Sequence, residues 1–155
     1  MFIIIQLRHK FTKKRVTIVC IHLKAFEDFS EKRTEQTEFV LNVLKEHMLE
    51  TDIESVKDQA VIICGDLNGN HTEDFYQLLV NDNLFNLRDV YSNKSEANSK
   101  KRPVVDYIFY TNKSLHLINY LESDVLKTNK KKTMEIPNLA YPSDHLSLIC
   151  DFQIT

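Results

Sequence analysis

The polar residues that break the hydrophobic runs of the chain are His22, Asp66, Asn68, Asp106, Asp144 and His145. Acids and histidines with no Ser or Cys nucleophile motif suggest attack by water, assisted by a metal ion. Paired carboxylates also serve glycoside hydrolysis, but that chemistry gives no reason for two histidines and an asparagine. A phosphoryl-transfer site needs a base for the water, cations for the equatorial oxygens and a metal for the developing charge.

Most of these residues fall at the ends of apolar runs, which must therefore position them. The central run is Ala60-Val-Ile-Ile-Cys-Gly-Asp-Leu-Asn-Gly69. Residues 60–64 are small or aliphatic and predict a strand buried on both faces. The chain has only two glycines, Gly65 and Gly69, and both flank Asp66-Leu-Asn68. Glycine permits positive φ or close approach of another group. Asp66 and Asn68, two apart at a strand end, can face the same way and place a base or metal ligand beside a hydrogen-bond donor. The alternative is a plain turn, with Asn68 capping the next helix.

The other elements follow from periodicity. Residues 2–9 and 16–23 are β-branched and aliphatic, joined by a basic stretch, and predict a hairpin. His22 and Lys24 end its second strand; taken singly, His22 is a packing histidine and Lys24 a solvated one. Residues 30–50 predict a helix, with Ser30 as N-cap and an apolar stripe of Phe39, Val40, Val43, Leu44, His47 and Met48. Arg33 and Gln36, on its first turns, read as solvent-exposed. A polar connection over 51–59 leads into the central strand. A short helix over 71–80 has Thr72 as its candidate cap, and Leu84, Leu87 and Val90 recur at helical spacing. A polar loop over 92–102 precedes a strand over 103–110, in which Asp106 is embedded. A carboxylate there needs a partner, and a histidine is a natural one. A strand over 115–121, a basic loop over 127–132 and a loop-to-strand segment over 141–152 complete the chain. Asp144 and His145 sit at the mouth of that last strand. The pattern is α/β or α+β, without repeats or an interdomain linker.

Composition sets outer bounds. A chain of 155 residues with 43% hydrophobic content makes one domain with a sizeable core. A formal charge of −2 leaves no overall basic surface for gripping nucleic acid, so phosphate-binding basicity must be local. The opening Met1-Phe-Ile-Ile-Ile5 is too short for a secretory core or a membrane span. Cys20, Cys64 and Cys150 lie in aliphatic runs without Cys-x-x-Cys spacing, which argues for buried, reduced thiols. The expected compartment is cytoplasmic, with a mitochondrial signal, if any, upstream of this chain.

In order, His22-Leu-Lys-Ala25, Gly65-Asp-Leu-Asn68, Asp106-Tyr-Ile108 and Ser143-Asp-His145 resemble the exonuclease–endonuclease–phosphatase superfamily. Arg33 with Gln36 and the tail Tyr141-Pro-Ser-Asp-His-Leu-Ser-Leu-Ile-Cys-Asp-Phe152 resemble its branch of nocturnin and the carbon-catabolite-repressor-type deadenylases. The resemblance runs from Phe2 to Phe152. It implies a four-layer sandwich, two packed mixed β-sheets flanked by helices, and a Mg²⁺-dependent phosphohydrolase. Asp66 would position or deprotonate the attacking water, with Asn68 helping to hold water and phosphate. His145 would stabilise the phosphoryl oxygens, oriented and kept cationic by Asp106. His22 would contact the scissile phosphate and Lys24 the substrate's phosphate groups. Asp144 and Asp66 would serve the metal.

Two departures accompany the resemblance. The family's earlier strands, including one with the main metal-ligand Glu, have no counterpart, so the chain is expected to be the C-terminal half of a domain. Little activity is then expected of these residues alone, since Mg²⁺ held by Asp144 and waters would bind weakly. Second, Phe26 stands where the nocturnin-like pattern has an Arg. The implied substrate is NADP(H), losing its 2′-phosphate, or a poly(A) 3′ end. The rival of another class is a non-catalytic fragment or binding module, exposing apolar surface where the other half would pack.

Overall fold

The computed structural model describes residues 1–49, 58–92, 104–121, 137–139 and 142–155. Strands β1 (Phe2–Arg8) and β2 (Arg15–His22) form the expected antiparallel hairpin, Phe2 opposite Ile21 and Arg8 opposite Arg15. A 3-10 turn (Glu27–Phe29) leads into α1 (Ser30–Leu49) and then β3 (Ala60–Asp66). After α2 (Asp74–Val80) come β4 (Leu87–Asp89), β5 (Asp106–Thr111), β6 (Leu115–Tyr120) and β7 (Cys150–Ile154). The five-stranded sheet has the order β1-β2-β3-β5-β4, and β6 and β7 make a two-stranded antiparallel sheet. Among the described residues only β2 and β3 run parallel, as a helical crossover between them requires. The fold is α/β with two sheets and flanking helices, as expected; among the described residues the second sheet is antiparallel rather than mixed.

The core lies between the helices and one face of the larger sheet. Val19, Ile21, Val61, Ile63 and Phe109 project from the strands to meet Val40, Leu41, Leu44, Phe75 and Leu79. Burying one such aliphatic side chain is worth about 1.5–3 kcal/mol. The buried stripe of α1 is Arg33, Thr37, Val40, Leu41, Leu44 and Met48. Three expectations for this helix therefore change. Phe39 is exposed, with its ring edge-on to Phe2 at 6.0 Å, while Arg33 is fully buried. Ser30 is not the cap either, because it continues the preceding turn with φ −56° and ψ −47°.

The sheet's other face is covered unevenly. Tyr110 of β5 meets Phe152 of β7 with ring centroids 5.0 Å apart. On β1, by contrast, Ile3, Ile5 and Leu7 alternate along the strand and remain about half exposed. Cys20, opposite Ile3, is exposed as well, and Cys64 and Cys150 are half-buried, all three as free thiols. The expectation of buried cysteines fails at Cys20, and β3 is fully packed on one face only.

Local polar contacts account for two further differences. Asn70 Oδ1 accepts hydrogen bonds from the backbone N–H and hydroxyl of Thr72, so α2 begins after Glu73 rather than at a Thr72 cap. The stretch around Leu84–Val90, whose apolar residues recur at helical spacing, turns and then pairs as β4. Asp82 Oδ1 accepts from the N–H groups of Leu84 and Phe85, both at 3.0 Å, and Asn86 has φ +47°. Pairing with β5 overrides the helical spacing. Residues 51–57 of the expected connection over 51–59, residues 93–102 of the expected loop over 92–102, the first residue of the expected strand over 103–110, the basic loop over 127–132 and Tyr141 lie outside the described residues. Among the described residues no helix is long and apolar enough to cross a membrane.

Candidate active site

Strand register gathers the site. His22 is opposite Asp66 across the parallel β2–β3 pair, and Asp66 is opposite Asp106 across the antiparallel β3–β5 pair. These three residues form one row where β2 and β3 end and β5 begins. Asp106 thus opens its strand rather than lying embedded in it. Gly65 allows the row to close up: its φ is +139°, and a Cβ there would lie 1.9 Å from the Ile21 carbonyl oxygen.

His145 reaches the row from the loop before β7. Its backbone N–H donates to Ser143 Oγ at 3.0 Å, and its Nδ1 lies 2.9 and 3.0 Å from the two Asp106 oxygens. That is the partner the Asp106 carboxylate required. The Nε2 atoms of His22 and His145 lie 3.7 and 3.8 Å from Asp66 Oδ2. One carboxylate oxygen therefore faces two imidazoles at the open end of the sheet. Its other oxygen accepts the Asn68 N–H at 2.9 Å, in an Asx turn that holds Asn68 at φ +53°. Asn68 Nδ2 donates to the Leu23 carbonyl at 3.2 Å, tying the two strand ends together, so Asn68 does not cap the next helix.

Lys24 is held differently. Its N–H donates to Gln36 Oε1 at 2.9 Å, and its ammonium lies over the Phe29 ring at 4.7 Å and the Phe26 ring at 6.0 Å. The structure does not bring that ammonium to Asp66. Asp144 is close enough for its charge to raise the pKa of both Asp106 and His145.

The hydrogen bond to Asp106 raises the His145 pKa, with burial opposing it and the charges of Asp106, Asp66 and Asp144 adding to it. Burial pushes Asp106 upward too, and its contacts with His145 counter that in part. Asp106→Asn is expected to return His145 toward its ordinary value, as read from imidazole proton shifts titrated with a chelator present. An unchanged midpoint would remove Asp106 as the cause. The sign for stability follows. His145 holds its proton more tightly when folded, so its contribution is complete below about pH 6.5 and fades as pH climbs through the raised folded value. That slope is expected to flatten in the variant.

Sequence reasoning missed the frame behind this row. Arg33 Nη1 donates to the carbonyls of Lys24 at 3.1 Å and Phe26 at 2.7 Å, and its Nε to Glu73 Oε2 at 2.8 Å. Glu73 Oε1 accepts the Asn70 N–H at 3.2 Å. The hydroxyl of Tyr107 lies 3.0 Å from both the Gly69 and Val104 carbonyls. A buried arginine so satisfied is a positioning device, since leaving it unpaired would be costly. The only signal was the pairing of Arg33 with Gln36, which alone suggested exposure.

The Endonuclease/Exonuclease/phosphatase family model matches residues 37–145, a span that includes Asp66, Asn68, Asp106, Asp144 and His145. The chain belongs to this family. Nocturnin of Xenopus laevis is 30% identical over 156 residues, covering 91% of this chain and 38% of its own length. The Ccr4 exoribonuclease subunit of the CCR4-Not complex of Kluyveromyces lactis is 26% identical over 185 residues, 99% of this chain and 23% of that protein. The human nocturnin catalytic domain, solved with a bound sulfate anion, superposes with a TM-score of 0.76 at 28% identity, over 99% of this chain and 53% of that one. The nocturnin-like branch of the endonuclease/exonuclease/phosphatase family is thus where this chain falls. It spans about two fifths of the Xenopus relative's length.

Proposed function

We propose that the chain is part of a Mg²⁺-dependent phosphohydrolase acting on nucleotides, with NADP(H) losing its 2′-phosphate as the leading substrate. The observation that carries this is Asp66 Oδ2 set between two imidazoles, one of them backed by Asp106. Asp66 orients a water and takes its proton as the water oxygen bonds to phosphorus and the ester P–O bond breaks, the departing sugar oxygen taking a proton from solvent. His145, kept cationic by Asp106, and His22 face the charge that develops on the phosphoryl oxygens. Asn68 helps hold water and phosphate, and Lys24 meets a further phosphate group of the substrate.

The donor set suits a hard cation. Asp66, Asp106 and His145 bring ligand atoms within 4.8 Å of one another, and the nearby charges of Asp66 and Asp144 both raise Asp106. By resemblance, Asp66 and Asp144 would be the protein oxygens that hold Mg²⁺, with water completing the shell, while Asp106 is engaged by His145. The bound ion would neutralise phosphoryl charge. By resemblance, the main Glu ligand lies outside this chain. The half-exposed row of Ile3, Ile5 and Leu7 is open to a further layer, an exposure that a non-catalytic fragment predicts as well, and this chain covers 53% of the human relative's domain.

The second reading, removal of 3′ nucleotides from poly(A), is favoured by the likeness to Ccr4 over nearly the whole chain. The test follows phosphate release from NADPH beside shortening of oligoadenylate, using the full product of the gene, with and without chelator. Phosphate release that stops with chelator is the expected result. Shortening without phosphate release would favour the second reading, and neither activity would end both.

A further inference from the structure

Beside the row of acids and histidines, two aromatic rings face solvent in an arrangement that the fold actively maintains. Phe26 is 74% exposed and Phe29 40% exposed. Exposure alone carries little, since isolated apolar side chains on a surface are ordinary. Phe26, however, has φ +77°, a conformation that bulky L-residues rarely adopt. It is held there by contacts that tie it to the site. Arg33, 1% exposed, donates to the Phe26 carbonyl at 2.7 Å and to the Lys24 carbonyl at 3.1 Å. The Phe29 N–H donates to the same Phe26 carbonyl at 3.3 Å. Strain fixed by a buried cation, on a residue whose ring gains no burial, points to a job done in solvent.

The surroundings define that job. The Lys24 ammonium sits over Phe29 at 4.7 Å and Phe26 at 6.0 Å, so a cation and two π-faces share one spot. Phe26 is four residues beyond His22, a chain reach of at most about 14 Å. His22 itself is 3.7 Å from Asp66. A ligand with its phosphate at the row and a flat aromatic group one sugar away meets both features. Base–aromatic stacking is tolerant of base identity and gives about a tenfold gain or more in binding per base.

We propose that Phe26 and Phe29, with Lys24 between phosphate and rings, form a stacking platform for the nucleobase of the substrate, and that Arg33 is the positioning residue that holds it. This rests on the phosphohydrolase reading and deepens it. The site selects a phosphate ester attached to a nucleoside over one attached to a bare sugar. Where an Arg would offer a second cation for phosphate, Phe26 offers a ring face for the base.

The test measures binding in the full gene product, with a chelator present so that nothing turns over. The probes are adenosine 2′-monophosphate, ribose 2-phosphate and oligoadenylate. Wild type is expected to prefer the nucleotide over the sugar phosphate by about tenfold, with upfield ring-current shifts on the adenine protons. Phe26→Ala is expected to lose most of that preference and the ring-current shifts, and Phe26→Trp to keep both. Phe29→Ala is a second probe if Phe26→Ala fails to fold. A preference already complete with the mononucleotide identifies a free nucleotide as the source of the base. One that grows with oligoadenylate length identifies an RNA end. Equal preference in wild type and Phe26→Ala, with binding intact, would overturn the platform and leave the phosphohydrolase reading standing. If no phosphate ester binds at all, both fall.

Discussion

Asp66→Asn is expected to lower phosphate release by about 10²–10⁴-fold, the usual contribution of a positioned general base. At about 1.4 kcal/mol per decade, that is roughly 3–5 kcal/mol of transition-state stabilisation. The substitution is chosen for what it preserves. Asp66 Oδ1 accepts the Asn68 N–H at 2.9 Å, and an asparagine oxygen there can keep the turn. What it removes is the negative charge facing His22 and His145. Thermal stability is expected to hold, because the charge of Asp66 also disfavours an ionised Asp106. The His145 pKa should fall, though less than in Asp106→Asn, since the hydrogen bond to Asp106 is the largest cause of its rise. Turnover unchanged in Asp66→Asn would remove the residue from its proposed role, whatever the fold does.

The row itself was legible because polar residues at the ends of aliphatic strands are expensive unless they meet one another. Asp106 needed a partner, a histidine being a natural one, and His145 lies 2.9 Å from it. Lys24 was only half legible. Its place after His22 is fixed by the strand, but its ammonium turns to Phe29 because a cation over a ring face is favourable. No spacing rule carries that information. Arg33 was misread for a related reason. On the helix pattern alone an arginine belongs in water, and only the chain crossing over it reveals three carbonyls within reach. Those carbonyls belong to residues 24–27, which leave β2 and turn before α1 begins.

Among the elements, periodicity was reliable where burial decides the outcome and weak where pairing does. β2, α1 and β3 arise from runs whose apolar residues have somewhere to go. The residues of β4 carry helical spacing yet pair at the sheet edge, because Asp82 and Asn86 fix a turn first. Within α1, the stripe is displaced from Phe39 to Leu41 because the helix packs on the sheet face carrying Val19, Ile21 and Ile63.

The two glycines looked alike in sequence and are not alike in the fold, which sets up the most severe expected loss of stability. Gly65→Ala is expected to destabilise the protein by more than about 4 kcal/mol, or to prevent folding, a size reserved for a few mechanisms. At φ +139° the backbone is strained for any L-residue, and the added methyl would sit 1.9 Å from a backbone oxygen of β2. That oxygen belongs to Ile21, one residue before His22, so it cannot retreat without parting β2 from β3 where His22 meets Asp66. Gly69→Ala provides the comparison within the same motif. Its φ is not positive, and the nearest atoms, at 2.6–2.8 Å, belong to the side chains of Phe75, Glu73 and Arg33. Side chains can give where backbone cannot, so a loss of about 1–3 kcal/mol is expected there, as for overpacking elsewhere. Denaturant unfolding of the two variants separates these cases. A Gly65→Ala protein that unfolds at the wild-type midpoint would mean that β2 and β3 do not meet as closely as the row of His22, Asp66 and Asp106 requires.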